Sequence, residues 1–375
     1  MVYFDYAATS FIKPDCVYRS VYEAMCYNSA NPGRGGHFAS VQAAEKIYEA
    51  REKICKLFQI ATPERLAFFP NTTQGLNVGI KGVLNHGDHV VISGMEHNSV
   101  ARPIEALKHK GLITCTIVKP DKDGNMEPEQ FVKAMNHNTK LVVCSHASNV
   151  CGNVYDIASI GRLVHQKEAY FMVDAAQSAG VIPICADDVD LLAFPGHKSL
   201  YGPQGSGGLY VREGIRLQTI TEGGTGSSSE LLTQPDEMPD RLESGTQNVP
   251  AIVGLGAAAD FILDKGIDTI SNHDKALCTR FKNGILNMPK ITVYGNDTSV
   301  NVVALNIDDM DCVEVSERLD KEFGIATRSG LHCAVLAHKA LGTLGTGCVR
   351  FSFGCFNTTK EVDYALDALY YLINH

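Results

Sequence analysis

Three short stretches of the chain hold side chains whose types and spacing could do chemistry together. "FFPNTTQGLNVGI" sets Thr72, Thr73 and Gly75 in what reads as the first turn of a helix entered from a strand. Free backbone N–H groups, two hydroxyls and the positive end of the helix dipole suit a phosphate there, although a capped helix without a ligand reads the same way. "AYFMVDAAQSAG" ends an apolar run at Asp174, with Gln177 three residues on, so the carboxylate is either a helix cap or a functional anion. "AFPGHKSLYGPQGSGG" places Lys198 beside His197 and ahead of glycines that let a ligand approach. An amine so placed forms a Schiff base or is an ordinary surface lysine. Taken together, an anion cradle, a carboxylate for a pyridinium nitrogen and an amine for an aldehyde are what pyridoxal 5'-phosphate needs.

The elements that must position these groups are legible as an alternation. From about residue 60 to 211, strand-like "RLAFF", "HVVIS", "TCTIV", "KLVVCSH", "AYFMVD" and "DLLAF" alternate with helix-like "GLNVGIKGVL", "PIEALKH", "FVKAM" and "IGRLVHQ". That order predicts an α/β fold whose mainly parallel sheet is covered on both faces, with ligands at the carboxyl ends of its strands. After a polar stretch, "PAIVGLGAAADFILDKG" has helical spacing, and "ITVYG", "VNVVALNI", "CVRFSF" and "TKEVDYALDALYYLIN" read as a smaller α+β unit. The expected division is a large domain over 1–250 and a small one over 251–375, with the first fifteen or so residues packing on the small one.

Bulk properties narrow the function classes. A chain of 375 residues exceeds the usual size of one core, and its 45% apolar content is that of a folded protein. A formal charge of −9 spread without a basic block argues against nucleic acid or an anionic membrane as the partner. The start "MVYFDYAATSF" lacks the features of a signal peptide and no later stretch is apolar enough to span a bilayer, so the expected location is cytoplasmic. The 12 cysteines include no C-x-x-C pair and the 13 histidines no H-E-x-x-H, so neither a disulfide framework nor a metal site is expected.

Motifs spread over nearly the whole chain carry a resemblance. "YFDYAATS", "NPGRGGH", "TTQGLN", "MEHNS", "SHASNVCGN", "VDAAQSAG", "GHKSLYGPQGSGGLYV", "RLESGTQN" and "RSGLHCA" occur in this order. The chain resembles a class V aminotransferase-fold enzyme of the cysteine desulfurase and selenocysteine lyase group, built on the fold of PLP-dependent transferases (fold type I). The resemblance implies that Lys198 holds pyridoxal phosphate covalently and moves protons, and that Asp174 keeps the ring nitrogen protonated. It gives Gln177 and Asn149 to the ring hydroxyl, His97 to stacking on the ring and proton transfer, and Thr72 or Thr73 with His197 to the phosphate. Thr246 of "RLESGTQN" would reach the phosphate of a partner subunit, which implies a homodimer with shared sites. Arg350, with Asn149 and Arg328 beside it, corresponds to the clamp on the substrate carboxylate.

The same resemblance turns on a thiol. Cys333 follows Arg328 and His332 and precedes residues of helical character, so it is expected at a helix N-terminus among cations, where thiolate is favoured. A desulfurase would take sulfur on Cys333, convert L-cysteine to L-alanine and pass the sulfur to an acceptor protein or small thiol. The form "RSGLHC" marks the second desulfurase group, which includes selenocysteine lyases, and nothing in it separates L-cysteine from L-selenocysteine. An aminotransferase and a catalytically idle cofactor-binding docking subunit are the other readings. Two features depart from the family pattern: Pro195 stands where a serine or threonine is common, and "GGTGSSSELL" replaces a glycine-rich loop.

Overall fold

The computed structural model describes residues 1–32, 36–296 and 300–375, so Gly33, Arg34 and Gly35 of the "NPGRGGH" motif lie outside the described residues. The chain starts with β1 (Val2–Tyr3) and the helices α1 (Asp15–Tyr27) and α2 (Phe38–Leu57). Strand and helix then alternate through β2 (Leu66–Phe69), α3 (Thr72–Val83), β3 (His89–Ser93), α4 (Asn98–His109), β4 (Thr114–Val118) and α5 (Pro128–Ala134). They continue as β5 (Thr139–Ser145), α6 (Ile157–His165), β6 (Tyr170–Asp174), β7 (Leu191–Pro195) and β8 (Gly207–Val211).

These strands form a seven-stranded sheet in the order β2-β8-β7-β6-β5-β3-β4. Every apolar run between residues 60 and 211 that the sequence offers as a strand takes its place here, and β3 and β7 are buried along their whole length because helices cover both faces. The sequence reading missed β8. "GGLYV" is too short and too glycine-rich to announce a strand, yet it pairs antiparallel with both β2 and β7. Glycine is required there by space: a Cβ on Gly207 would meet the Phe194 carbonyl at 2.6 Å, and one on Gly208 would meet the Phe194 ring.

A stretch without regular elements leads to α7 (Val249–Lys265) and α8 (Ile267–Ile285), which turn about Gly266 at φ 82°. There follow β9 (Ile291–Tyr294), β10 (Val302–Ile307), α9 (Cys312–Phe323), β11 (Ile325–Ala326), β12 (Arg328–Gly330), α10 (Val335–Ala340), β13 (Cys348–Ser352) and α11 (Thr359–Asn374). A four-stranded antiparallel sheet, β12-β13-β10-β9, buries Phe351 and Leu305 against Phe281 of α8 and Leu369 of α11. The N-terminus joins this second core: β1 pairs parallel with β11, and Phe4 is fully buried among the same aromatic rings. By contrast α7 packs against α1 and α2, while α8 packs against α11 and β10.

Candidate active site

The carboxyl ends of β6 and β7 and the first turns of α3 and α4 converge on a cavity of about 190 Å³. Asp174 is the last residue of β6 and is buried; its Oδ1 accepts the Ala176 N–H at 2.9 Å. No helix follows it, so the carboxylate caps a tight turn and not a helix. Burial raises its pKa to about 6, and Lys198 pulls the other way.

Lys198 lies just beyond β7, in a loop tied to the start of the chain: Ser10 N–H donates to the His197 carbonyl at 2.8 Å. Burial lowers the Lys198 amine to about 8, with Asp174 opposing and Arg350 assisting. An amine titrating there is a usable nucleophile near neutral pH, which a surface lysine is not.

Opposite stands the first turn of α3. Asn71 caps it by accepting the Gln74 N–H at 3.0 Å, and Thr73 Oγ1 lies 2.8 Å from Ser99 Oγ. Thr72 Oγ1 is buried, lines the cavity and has no hydrogen-bond partner among the described residues. An orphaned hydroxyl beside N–H groups that have no preceding carbonyl is a cradle waiting for an acceptor.

Both histidines at the site are neutral. His97 caps α4, its Nδ1 accepting the Ser99 N–H at 3.0 Å, so its proton sits on Nε2; burial and Lys198 hold its pKa near 4. His197 Nδ1 lies 3.1 Å from Thr9 Oγ1, and burial brings its pKa to about 4 as well. Gln177 donates to the Ala7 carbonyl at 3.0 Å, and Asn149 Nδ2 donates to the His332 carbonyl at 2.7 Å. Pro195, Asn149 and Gln177 all line the cavity.

Arg350 is buried behind Asn149. It donates through Nη1 to the Asn149 carbonyl and through Nη2 to Asp5 Oδ1, both at 2.9 Å, and its Nε has no partner among the described residues. Arg328 is exposed and reaches the same Asp5 at 3.6 Å. Asp5 and Glu96 were missed by sequence reasoning, although both sit inside the quoted motifs. Glu96 is fully buried beneath His97, where it accepts from Ser93 Oγ, Ser145 Oγ and Ser145 N–H, and burial raises it to about 7.

Cys333 is exposed, and its turn is fastened to two walls of the cavity. The Asn98 N–H donates to the Cys333 carbonyl at 2.7 Å, next to His97, while Asn149 holds the His332 carbonyl. Two expectations about this thiol are corrected. The helix α10 starts at Val335 with Ala334 as its cap, so Cys333 stands outside it in a left-handed turn at φ 55°. His332 is no cation either, because burial and Arg350 drive its imidazole down to about 2. Thr246 does not reach this cavity; it is exposed in a separate depression alongside Gln74 and Gln247.

A parallel-sheet fold with a buried carboxylate, a low-pKa lysine and a helix-end cradle at one strand edge is the layout of a pyridoxal-phosphate-dependent enzyme. The chain belongs to the aminotransferase class-V family, which it matches over residues 2–365 and whose members depend on that cofactor. It is 34% identical over 371 residues to a protein of Methanothermobacter thermautotrophicus described as a probable cysteine desulfurase, covering 96% of this chain and 92% of the other. A cysteine desulfurase of an Enterobacter species is 32% identical, with 98% and 92% covered. Among solved structures, the apo cysteine desulfurase of Thermococcus onnurineus superposes with a TM-score of 0.92 at 31% identity, covering 100% of this chain and 94% of that one.

Proposed function

We propose that this chain is a pyridoxal-phosphate-dependent cysteine desulfurase that converts L-cysteine to L-alanine and takes the sulfur on Cys333. The observation that carries the reading is the anchoring of the backbone of the Cys333 turn to both His97's helix and Asn149, two walls of the lysine cavity, with the thiol exposed.

The residues present fit the cofactor. Thr72 Oγ1, unpartnered and buried, with Thr73, His197 and the N–H groups of α3, would hold its phosphate. Lys198 would hold it covalently through its amine, and Asp174 would keep a proton on the ring nitrogen, the cation beside it restoring the carboxylate. Gln177 and Asn149 would face the ring hydroxyl and His97 the ring, with its Nε2 proton available. Bound there, pyridoxal phosphate supplies an electron-accepting ring for the substrate carbanion.

The chain's own groups account for the rest. Asp5 and Asn149 each take one of the five N–H donors of Arg350, so its Nε–H and the second hydrogens of Nη1 and Nη2 would be left for a substrate carboxylate, and Arg328 adds a second cation nearby. Cys333 Sγ attacks the substrate sulfur: the carbon–sulfur bond breaks, a sulfur–sulfur bond forms, and the product's β-carbon takes a proton. L-cysteine and a thiol thereby become L-alanine and a persulfide.

The same reading covers assembly and setting. A second copy would bring its own Thr246 to the phosphate. Tyr18, Tyr22 and Met25, exposed in one stripe of α1, are an apolar face for such a contact. No helix among the described residues is long and apolar enough to cross a membrane. All twelve cysteines are free, which suits the reducing cytoplasm, where a partner protein or small thiol would collect sulfur from Cys333. The proposed division is a large domain and a small C-terminal one, and the packing of α7 on α1 and α2 favours a boundary near Gly266 over one at residue 250.

Incubating the purified protein with L-cysteine and, separately, with L-selenocysteine tests the proposal through alanine, sulfide and selenide. Alanine from L-cysteine with sulfur on the protein supports it; alanine only from L-selenocysteine makes it a selenocysteine lyase, and a keto acid in place of alanine makes it an aminotransferase.

A further inference from the structure

Beside the turn that carries Cys333, three buried side chains bring potential ligand atoms close together. His332 Nδ1 lies 3.3 Å from His338 Nε2 and 3.8 Å from Cys348 Sγ, and the three atoms all fall within 4.8 Å of one another. A tetrahedral zinc site has bonds of about 2.0–2.1 Å to nitrogen and 2.3 Å to sulfur, which separate its ligands by about 3.3 Å (N to N) and 3.6 Å (N to S).

The far side of each ring is arranged to match. His332 Nε2 lies 3.3 Å from the Arg328 carbonyl, which only accepts, so the proton sits on Nε2 and Nδ1 presents a lone pair inward. His338 Nδ1 lies 2.7 Å from Thr343 Oγ1, leaving Nε2 facing inward. Metal-binding histidines are oriented in this way, the outward nitrogen held by an oxygen. Without a metal, the Cys348 thiol and the His338 N–H would both have to donate to the single Nδ1 lone pair of His332, whereas a cation uses one lone pair from each of the three groups.

We propose that His332, His338 and Cys348 bind a divalent cation of the zinc class, which pins the turn bearing Cys333. The ligands come from three places: the turn after β12, the helix α10, and the first residue of β13, opposite Gly330 in the sheet. No metal motif shows in the sequence because the third ligand arrives through strand pairing. Cys348 binds as a thiolate, its proton passing to solvent. The site stands apart from the lysine cavity, so it does not depend on the reaction proposed above.

The test uses the full-length holoprotein, stripped with chelator and then titrated with Zn²⁺ or Co²⁺. Zn²⁺ should be retained in equimolar amount through dialysis and should raise Tm. Co²⁺ should show the visible bands of a tetrahedral site together with a sulfur-to-metal charge-transfer absorption, a readout that needs no variant. Cys348→Ser and His338→Gln should abolish retention, Thr343→Val should weaken affinity by about 10–100-fold, and Cys333→Ala should keep it. Retention that survives Cys348→Ser or disappears with Cys333→Ala, Co²⁺ binding without the thiolate absorption, or no retention at all would overturn the assignment.

Discussion

At the scale of single residues, the proposed chemistry rests on one amine and one thiol. Lys198 titrates near 8 instead of 10.5, and only its neutral form attacks an aldehyde. Capture of pyridoxal phosphate by apoprotein, followed by absorbance, should therefore accelerate as pH rises through about 8 and then level off. Asp174 raises this pKa, so Asp174→Asn should move the midpoint to lower pH; an unmoved midpoint would separate the two groups. For the thiol, Cys333→Ala should retain cofactor yet form no persulfide. Mass spectrometry of the cysteine-treated wild type should find the added sulfur on Cys333 and not on Cys312, Cys348 or Cys355, which are buried. Pro195 offers neither hydroxyl nor N–H to the phosphate. A hydrogen bond to a charged group contributes about 1.5–3 kcal/mol, so Pro195→Ser should tighten cofactor binding by roughly tenfold or more, measured by reconstitution. Equal affinity would mean that Thr72, Thr73 and His197 already satisfy the oxygens.

At the scale of elements, the site depends on how closely the Asp174 turn approaches the Lys198 loop. Gly180 closes that turn at φ 88°, and a Cβ there would collide with the Ser199 carbonyl. Gly180→Ala combines left-handed strain with overpacking, each costing about 1–3 kcal/mol. We expect a lower denaturant midpoint and faster loss of cofactor on dialysis, because Asp174 and Lys198 are displaced together. A variant as stable and as tightly loaded as the wild type would show that the turn and the loop move independently.

For the whole molecule, the cavity within one chain lacks the Thr246 that the family pattern assigns to it. Light scattering should report a dimer, and Thr246→Ala should weaken pyridoxal phosphate retention although Thr246 lies outside its own chain's cavity. A monomer that binds cofactor fully would remove the shared-site reading.

What the sequence determined by itself was everything encoded locally. Lys198, Asp174, Thr72 and Cys333 stand in motifs whose residue types and spacing suggested the chemistry proposed for them, and β3, β5, β6 and β7 were visible because a buried strand with parallel neighbours is a nearly unbroken apolar run. Tertiary structure alone decided what depends on partners distant in the chain. Asp5 meets Arg350 across 345 positions, β8 earns its strand only by lying between β2 and β7, and α7 belongs with the first helices although it follows the large sheet. The neutral state of His332 and the stray position of Cys333 outside α10 were likewise hidden, because burial and turn geometry are set by what packs around a residue and not by its neighbours in sequence.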